Sequence, residues 1–277
     1  MKVYLTCLHI ILGVFKNHFM LITNMKWIVI TLTALTTLGA CAQASQEPEV
    51  PELEDKITIY KKTIVDDNKP SKAIGLVNKG SLENGKLMPF SGKNFTYFDT
   101  SSYLYSRAFV HSDVRKAVLD SYSSCDSICP EYHFTLMECS NKNGGKIWPH
   151  RTHQNGMSID FAMPLKKSNK QYRDLDLIGK DHYFMDFDND GKYIEDTTVS
   201  VNFEIVCKHI LELEKSCRKN GLKIKKVIIK TELKDDLYAS KSGQEIKSSG
   251  IYVVKKLEPL INQLHDDHYH VDFAFTE

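Results

Sequence analysis

The chain has 277 residues, of which 42% are hydrophobic and 26% charged, so it suits one large globular domain or two small ones. With the three lysines of residues 1–40 set aside, the 36 basic residues become 33 against 35 acidic ones, a net charge near −2. This balance gives no argument for nucleic acid as a partner.

The first 40 residues have the pattern of an export signal. The basic start Met25–Lys26 precedes the apolar run Trp27–Leu38 and small residues that end at a cysteine. Leu38 to Cys41 resembles a bacterial lipobox, so we expect Cys41 to be lipidated and to become the first mature residue. The pattern predicts a signal peptide over residues 1–40, or from Met25 if translation starts there. It also predicts a protein of the cell envelope, in the periplasm, that meets a membrane through its lipid anchor only.

Residues 41–56 are acidic, contain proline and lack aromatic side chains, which is typical of a tether. We therefore expect a single globular domain over residues 57–277. Beyond residue 41 the number of cysteines is odd, so in an exported protein at least one stays outside any internal pair. Their spacing assigns no bridge among Cys125, Cys129, Cys139, Cys207 and Cys217.

Apolar spacing and turn signals predict a mixture of helices and strands. In chain order these are a helix opened by Ser112, strands Tyr132–Cys139 and Met157–Leu165, helix Phe203–Cys217, strand Lys225–Leu233, helix Val253–Leu264 and strand Tyr269–Phe275. The helix from Phe203 has the clearest boundaries, with Asn202 at the N-cap and Gly221 just past its end. Because the elements do not alternate as βαβ units, we expect an α+β fold with a central, mostly antiparallel sheet flanked by helices.

Histidines concentrate in two short stretches. Two of the eleven lie in residues 1–40, and five of the other nine fall into "HRTH" and "HDDHYH": His150, His153, His265, His268 and His270. Scattered structural histidines do not bunch in this way, so the clusters indicate a metal site. The remaining four are interpreted as structural: His111, His133, His182 and His209.

The spacing within the clusters suits a catalytic zinc. His268 and His270 are two apart on a predicted strand, so both rings project from one face of the sheet. His153 and Asp160 bracket Gly156, where a turn brings an imidazole and a carboxylate together. His153, Asp160 and His270 offer two nitrogens and one oxygen, which leaves a fourth tetrahedral position for water.

The other histidines of the clusters have supporting roles in this hypothesis. His268 is beside a ligand but free itself, so it can accept a proton or stabilise a developing oxyanion. We place His150 at the metal, where it either orients the ligands or extends the site towards a second ion. His265 is expected either to orient a ligand without touching the metal or to face the substrate. The chain lacks HExxH, which excludes the helical two-histidine metalloprotease arrangement.

The two motifs, His150-x-x-His153-Gln-Asn-Gly-x-x-x-Asp160 and His265-Asp-Asp-His268-Tyr-His270, resemble those of the penicillin-insensitive murein endopeptidases. That family belongs with the lysostaphin-type peptidases, D-alanyl-D-alanine carboxypeptidases and hedgehog domains. The similarity extends from about residue 73 to the C-terminus. It implies a zinc-dependent endopeptidase that cuts the D-alanyl-meso-diaminopimelate cross-links of peptidoglycan. It also implies zinc on His153, Asp160 and His270, with His268 as the active-site histidine.

Three alternatives compete with this interpretation. A lipoprotein with the same fold can bind zinc or wall peptides without cleaving them. A carboxypeptidase would need a clamp for a free carboxylate, for which Arg151 and Arg107 are candidates. A penicillin-binding serine enzyme is disfavoured, because Ser216-x-x-Lys219 follows Ser200-x-Asn202 where it should precede it. The sequence assigns no oligomeric state.

Overall fold

The computed structural model describes residues 53–66, 68–176 and 178–277, which lie in one compact unit, Val50–Glu277. The predicted signal peptide and the lipidation site Cys41 are outside the described residues, as is most of the predicted tether. The last tether residues, from Leu53 to Lys56, are instead the start of a helix. Among the described residues, no helix has the length and apolar character needed to cross a membrane.

The described chain contains short helices and strands throughout. In chain order they are α1 (Leu53–Thr63), β1 (Lys72–Leu76), β2 (Lys79–Glu83), β3 (Lys86–Leu87), β4 (Phe95–Tyr97), α2 (Thr100–Leu104), β5 (Phe109–Val110), α3 (Ser112–Ile128), β6 (Phe134–Leu136), β7 (Ser158–Ala162), β8 (Leu165–Lys167), β9 (Lys170–Tyr172), β10 (Val199–Val201), α4 (Phe203–Lys219), β11 (Leu222–Ile228), α5 (Lys234–Ala239), α6 (Lys241–Ser249), α7 (Pro259–Gln263) and β12 (His268–Phe275). Two 3-10 helices, Gly179–Phe184 and Thr231–Leu233, complete the set.

A five-stranded sheet with the order β11-β12-β7-β6-β4 forms the centre. Its pairs are antiparallel except for β4 with β6, which run parallel. Smaller sheets, β1-β2, β3-β5 and β10-β8-β9, lie outside it. The α+β prediction with a mostly antiparallel sheet is therefore confirmed.

Helices α3 and α4 pack against each other and cover one face of this sheet. Tyr122 of α3 and His209 of α4 contact Phe161 of β7, and His209 also contacts Tyr269 of β12. Because side chains alternate along a strand, β12 turns Tyr269, Val271 and Phe273 towards the helices. The same alternation leaves His268, His270 and Asp272 for the opposite face.

The two ends of helix α4 are set by residues that the sequence predicts as its boundaries. The Asn202 side chain accepts from the amide of Ile205, and Gly221 adopts φ +74° just past the last turn, as predicted. The predicted helix from Ser112 is also present. Its N-cap is His111, whose Nδ1 accepts from the amide of Asp113.

Two predictions near the C-terminus were wrong in extent. The strand predicted over residues 225–233 ends at Ile228, and residues 231–233 are helical. The helix predicted over residues 253–264 is only α7, while Val253 pairs with β11 as an isolated bridge. Pro259 explains this, because it restricts Glu258 to an extended conformation and suits only the first turn of a helix.

The five cysteines beyond residue 41 are all buried free thiols: Cys125, Cys129, Cys139, Cys207 and Cys217.

Candidate metal centre

The sheet brings the first pair of candidate ligands together. His270 on β12 lies directly opposite Asp160 on β7 in the antiparallel register, so both side chains are on the face away from the helices. Nδ1 of His270 is 2.7 Å from Oδ1 of Asp160, and Nε2 is 2.7 Å from Oδ1 of Asp272. Asp272 in turn accepts from the hydroxyl of Ser158. The ring of His270 is thus fixed on both edges.

The loop between β6 and β7 supplies His150 and His153. His153 has φ +66°, an uncommon conformation for a residue with a side chain, and Gly156 has φ +77°. A Cβ at Gly156 would lie 2.8 Å from the amide nitrogen of His111, so glycine is required there. The loop is tied to the β1-β2 turn, where the amide of Gln154 donates to the carbonyl of Val77.

His150, His153 and Asp160 form a compact cluster in which the candidate ligand atoms lie within 4.8 Å of one another. His153 and Asp160 are almost completely buried. Within the described chain, neither ring nitrogen of His153 has a hydrogen-bond partner, and nor does Oδ2 of Asp160. Buried polar atoms are rarely left unpaired, so these three atoms call for a further bonding partner.

The spacing of these atoms fits a zinc ion. Two ligands that are each about 2.0–2.1 Å from a tetrahedral zinc lie about 3.3 Å apart. Nε2 of His153 is 3.2 Å from Oδ2 of Asp160, and Nδ1 of His150 is 3.4 Å from the same oxygen. The residues present, two imidazoles and a carboxylate, are the donor types that zinc accepts in catalytic sites.

A buried glutamate supports His150 from behind. Oε2 of Glu138 is 2.5 Å from Nε2 of His150, and its other oxygen accepts from Arg107 and from the hydroxyl of Ser102. Burial favours the neutral acid, but the hydrogen bonds and charges of His150, Ser102 and Arg107 prevail and lower the pKa of Glu138 to about 2. An ionised carboxylate therefore orients His150, in the manner of a metal-ligand histidine held by an outer carboxylate.

A second carboxylate holds His268. Nδ1 of His268 is 2.6 Å from Oδ1 of Asp267, and the other oxygen of Asp267 is 3.0 Å from Nδ1 of His182. Burial disfavours the imidazolium of His268, yet the adjacent Asp267 carboxylate outweighs it and raises the pKa of His268 to about 9. His182, interpreted as structural from the sequence, is thus in contact with the carboxylate that positions His268.

His265 is close to the cluster, but one of its ring nitrogens is bound to the protein backbone. Its Nδ1 is 2.6 Å from the carbonyl oxygen of Ile261, and its ring centre is 4.8 Å from that of His268. Burial, followed by the positive charges of His268 and His270, lowers the pKa of His265 to about 3. A neutral His265 therefore forms one wall of the site.

An open cavity of about 500 Å³ gives access to these groups. His150, Asp160, His265, His268 and His270 line it, and His153 lies buried behind Asp160. The structure thus gathers every residue of the two sequence motifs that was assigned to the site. Among the described residues, however, the group that could hold a metal ion comprises His150, His153 and Asp160. The predicted ligand His270 is not in that group, and both of its ring nitrogens are bound to carboxylates.

Four residues of the site were not identified from the sequence: Glu138, His182, Asp267 and Asp272. Asp267 and Asp272 carried a usable signal, because Asp267 lies inside the second histidine motif and Asp272 follows it by two residues. Glu138 and His182 lie 12 residues or more from a motif and become neighbours only in the folded chain.

Fold and site together define an α+β protein with a histidine–aspartate cluster of metal-binding type at the foot of a cavity. The chain belongs to the penicillin-insensitive murein endopeptidase family, whose sequence model matches residues 73–276. The resemblance of the motifs is thereby confirmed, and family membership implies a peptidoglycan hydrolase that acts on the cell wall. No curated protein matches the chain.

Proposed function

We propose that this protein is a zinc-dependent endopeptidase that hydrolyses the D-alanyl-meso-diaminopimelate cross-link peptides of peptidoglycan. The observation that carries the proposal is the set of unpaired, buried atoms of His153 and Asp160 beside a cavity that His268 lines. Membership of a murein endopeptidase family supplies the substrate class.

His153, Asp160 and His270 are the proposed zinc ligands, with His150 at the metal as a further ligand or as an orienting residue. When bound, zinc polarises the scissile carbonyl and makes water nucleophilic at neutral pH. Glu138 and Asp272 hold the rings of His150 and His270 in their ligand orientations.

His268 is the proposed catalytic histidine. Its Nδ1 is engaged by Asp267, so its Nε2 is the nitrogen available on the cavity side. From there the imidazole exchanges a proton with the reacting groups or donates a hydrogen bond to the oxyanion that forms at the carbonyl. Asp267, itself bound to His182, keeps the ring in place, and the ring of His265 lies beside it.

The partners of two arginines bear on the choice between endopeptidase and carboxypeptidase action. Arg107 is bound by buried Glu138, so it is not available to a substrate carboxylate. Arg151, at the cavity wall, is paired with Glu258 at 2.8 Å, but both side chains are mostly exposed and such a pair is weak. Endopeptidase action is proposed because the chain belongs to a murein endopeptidase family.

The test is digestion of cross-linked muropeptide dimers by the full chain with zinc, with a chelator, and with His268→Ala. We expect the zinc enzyme to produce monomers, the chelator to stop it, and the variant to keep its zinc while losing about 10²–10⁴ in rate. His133→Ala is the matched control, because His133 binds Thr96 away from the cavity. Release of terminal D-alanine alone would identify a carboxypeptidase, and no cleavage by the folded zinc form would identify a binding protein.

We also propose, from the sequence, export and lipidation at Cys41, which would hold the enzyme at a membrane face of the cell envelope. Palmitate labelling of the full chain in cells, compared with Cys41→Ala, tests this.

A further inference from the structure

Two aromatic side chains are far more exposed than their type normally is: Phe184, which lines the cavity, and Trp148, which precedes the lining residue Pro149. Trp148 is 83% exposed and Phe184 is 81% exposed, the highest values for any aromatic residue in the described chain. Large apolar side chains that stand free in water beside a cavity mark a candidate binding surface. Their positions therefore indicate which ligand the protein binds beside the candidate metal centre.

Both residues are presented by structures that also build the site. Ile147 and His150 pair as an antiparallel bridge, which places Trp148 and Pro149 at the tip of a tight turn directly before the first histidine motif. Pro149 lines the cavity. The indole thus belongs to the turn that contributes Pro149 and His150 to the cavity wall, although Trp148 is not itself a lining residue.

Phe184 is the last residue of the 3-10 helix Gly179–Phe184 and lines the same cavity. The two residues before it face inwards, since His182 binds Asp267 and the ring of Tyr183 contacts His150 and His268. An anchored helix that ends in an outward phenylalanine gives a rigid apolar platform beside the reacting groups.

We infer that Trp148 and Phe184 form a sugar-binding subsite that packs against the amino-sugar rings of the glycan strand. This inference rests on the proposed function. The peptide stems of peptidoglycan are joined to N-acetylated amino sugars, so a stem in the cavity brings a pyranose ring to its mouth. The C–H face of a pyranose is apolar and flat, and it packs on an aromatic ring in the way that other flat apolar faces do.

The charges around the platform favour a glycan over a membrane surface. The exposed charged residues that line the cavity balance, with Asp186 and Glu258 against Arg151 and Lys256. Asp160 and Asp267 are buried against histidines. A surface without net positive charge does not attract an anionic lipid surface, and a neutral amino sugar needs no such charge.

The first experiment compares one cross-linked peptide dimer in two forms, with and without its amino sugars. For the full zinc-loaded chain carrying Trp148→Ala or Phe184→Ala, we expect the ratio of kcat/KM between the sugar-bearing and sugar-free forms to fall about tenfold, mainly through KM. Trp148→Phe should keep most of the ratio. Tyr252→Ala, an exposed aromatic that does not line the cavity, should keep all of it. An unchanged ratio in both alanine variants would overturn the subsite.

The second experiment reads binding without catalysis. With Trp27→Phe, Trp148 is the one tryptophan of the sequence, and oligomers of N-acetylglucosamine should shift its emission to shorter wavelength in a saturable way. A shift with phospholipid vesicles and none with the oligomers would overturn the glycan subsite in favour of membrane contact. If the parent chain cleaves neither dimer, the proposed function fails, while this titration still decides the subsite.

Discussion

Two histidines of this protein are equally buried and have opposite surroundings. His153 and His209 are each fully excluded from solvent. Nδ1 of His209 is 2.5 Å from the hydroxyl of Tyr269, and its ring stacks on Tyr122 with centres 5.1 Å apart. His153 has no hydrogen-bond partner among the described residues, and its Nε2 faces Oδ2 of Asp160.

The difference teaches that burial alone does not identify a functional histidine. A buried polar atom without a partner costs about 1–3 kcal/mol, but the core hydroxyl of Tyr122 also lacks one. What points to a bound ion is the clustering of such atoms of His153 and Asp160 at the spacing of metal ligands. His209 is satisfied within the core, and burial lowers its pKa to about 3, which keeps it neutral. His209 therefore has a structural role, whereas His153 is the candidate ligand.

The largest expected effect is from His153→Ala. It removes a proposed ligand, so zinc bound per chain should fall towards zero and cleavage of cross-linked dimers should fall at least about 10³-fold, the several kcal/mol that a catalytic metal supplies. The ring is buried against His150, His270 and Asp160, so its loss should also lower the free energy of unfolding, and zinc is measured on the folded fraction. Metal analysis and dimer digestion measure this. Retention of zinc by the variant would contradict the assignment of His153.

Removal of the metal should also distinguish His153 from His209, through the stability of the folded chain. Zinc binds the folded chain only, so at a free concentration of about 1,000 times Kd it should stabilise the parent by about 4 kcal/mol. A chelator should abolish this increment in the parent and in His209→Phe, and should leave His153→Ala unchanged. Urea unfolding with and without chelator checks it. An equal response of all three proteins would place the metal elsewhere.

His209→Ala should show the opposite pattern from His153→Ala. The ring fills a space between Tyr122, Phe161 and Tyr269, so its removal leaves a cavity and should lower the free energy of unfolding by about 2–4 kcal/mol. Zinc content and the rate per folded molecule should be unchanged. His209→Phe is the matched variant, since it keeps the ring but leaves the Tyr269 hydroxyl unpaired, at about 1–3 kcal/mol. A loss of zinc in either variant would refute a purely structural role for His209.

The smallest expected effect is from Glu138→Gln. The amide keeps the shape of the side chain but removes the charge that orients His150, so zinc affinity should fall about 10–100-fold while the fold remains. Competition with a chromophoric chelator measures the affinity. Glu258→Gln is the control, because its partner Arg151 is exposed and the pair contributes little. An unchanged affinity would show that His150 is positioned without Glu138.

The sequence by itself determined the α+β class, helix α4 with both of its ends, and the two histidine motifs. These features are local: Asn202 caps within three residues, and His268 and His270 share a face because side chains alternate along a strand. The error over residues 253–264 was also local, since apolar spacing suggested a helix that Pro259 restricts to one turn.

Only the tertiary structure decided which groups complete the site. The register of β12 against β7 set His270 opposite Asp160, residues 110 positions apart in the chain. Chain folding likewise brought Glu138 to His150 and His182 to Asp267. No periodicity encodes such pairs, because they depend on strand register and loop closure over long separations. A sequence pattern predicts the helix or strand to which a residue belongs. The partner of a buried polar atom depends instead on how helices and strands that are far apart in the chain pack together.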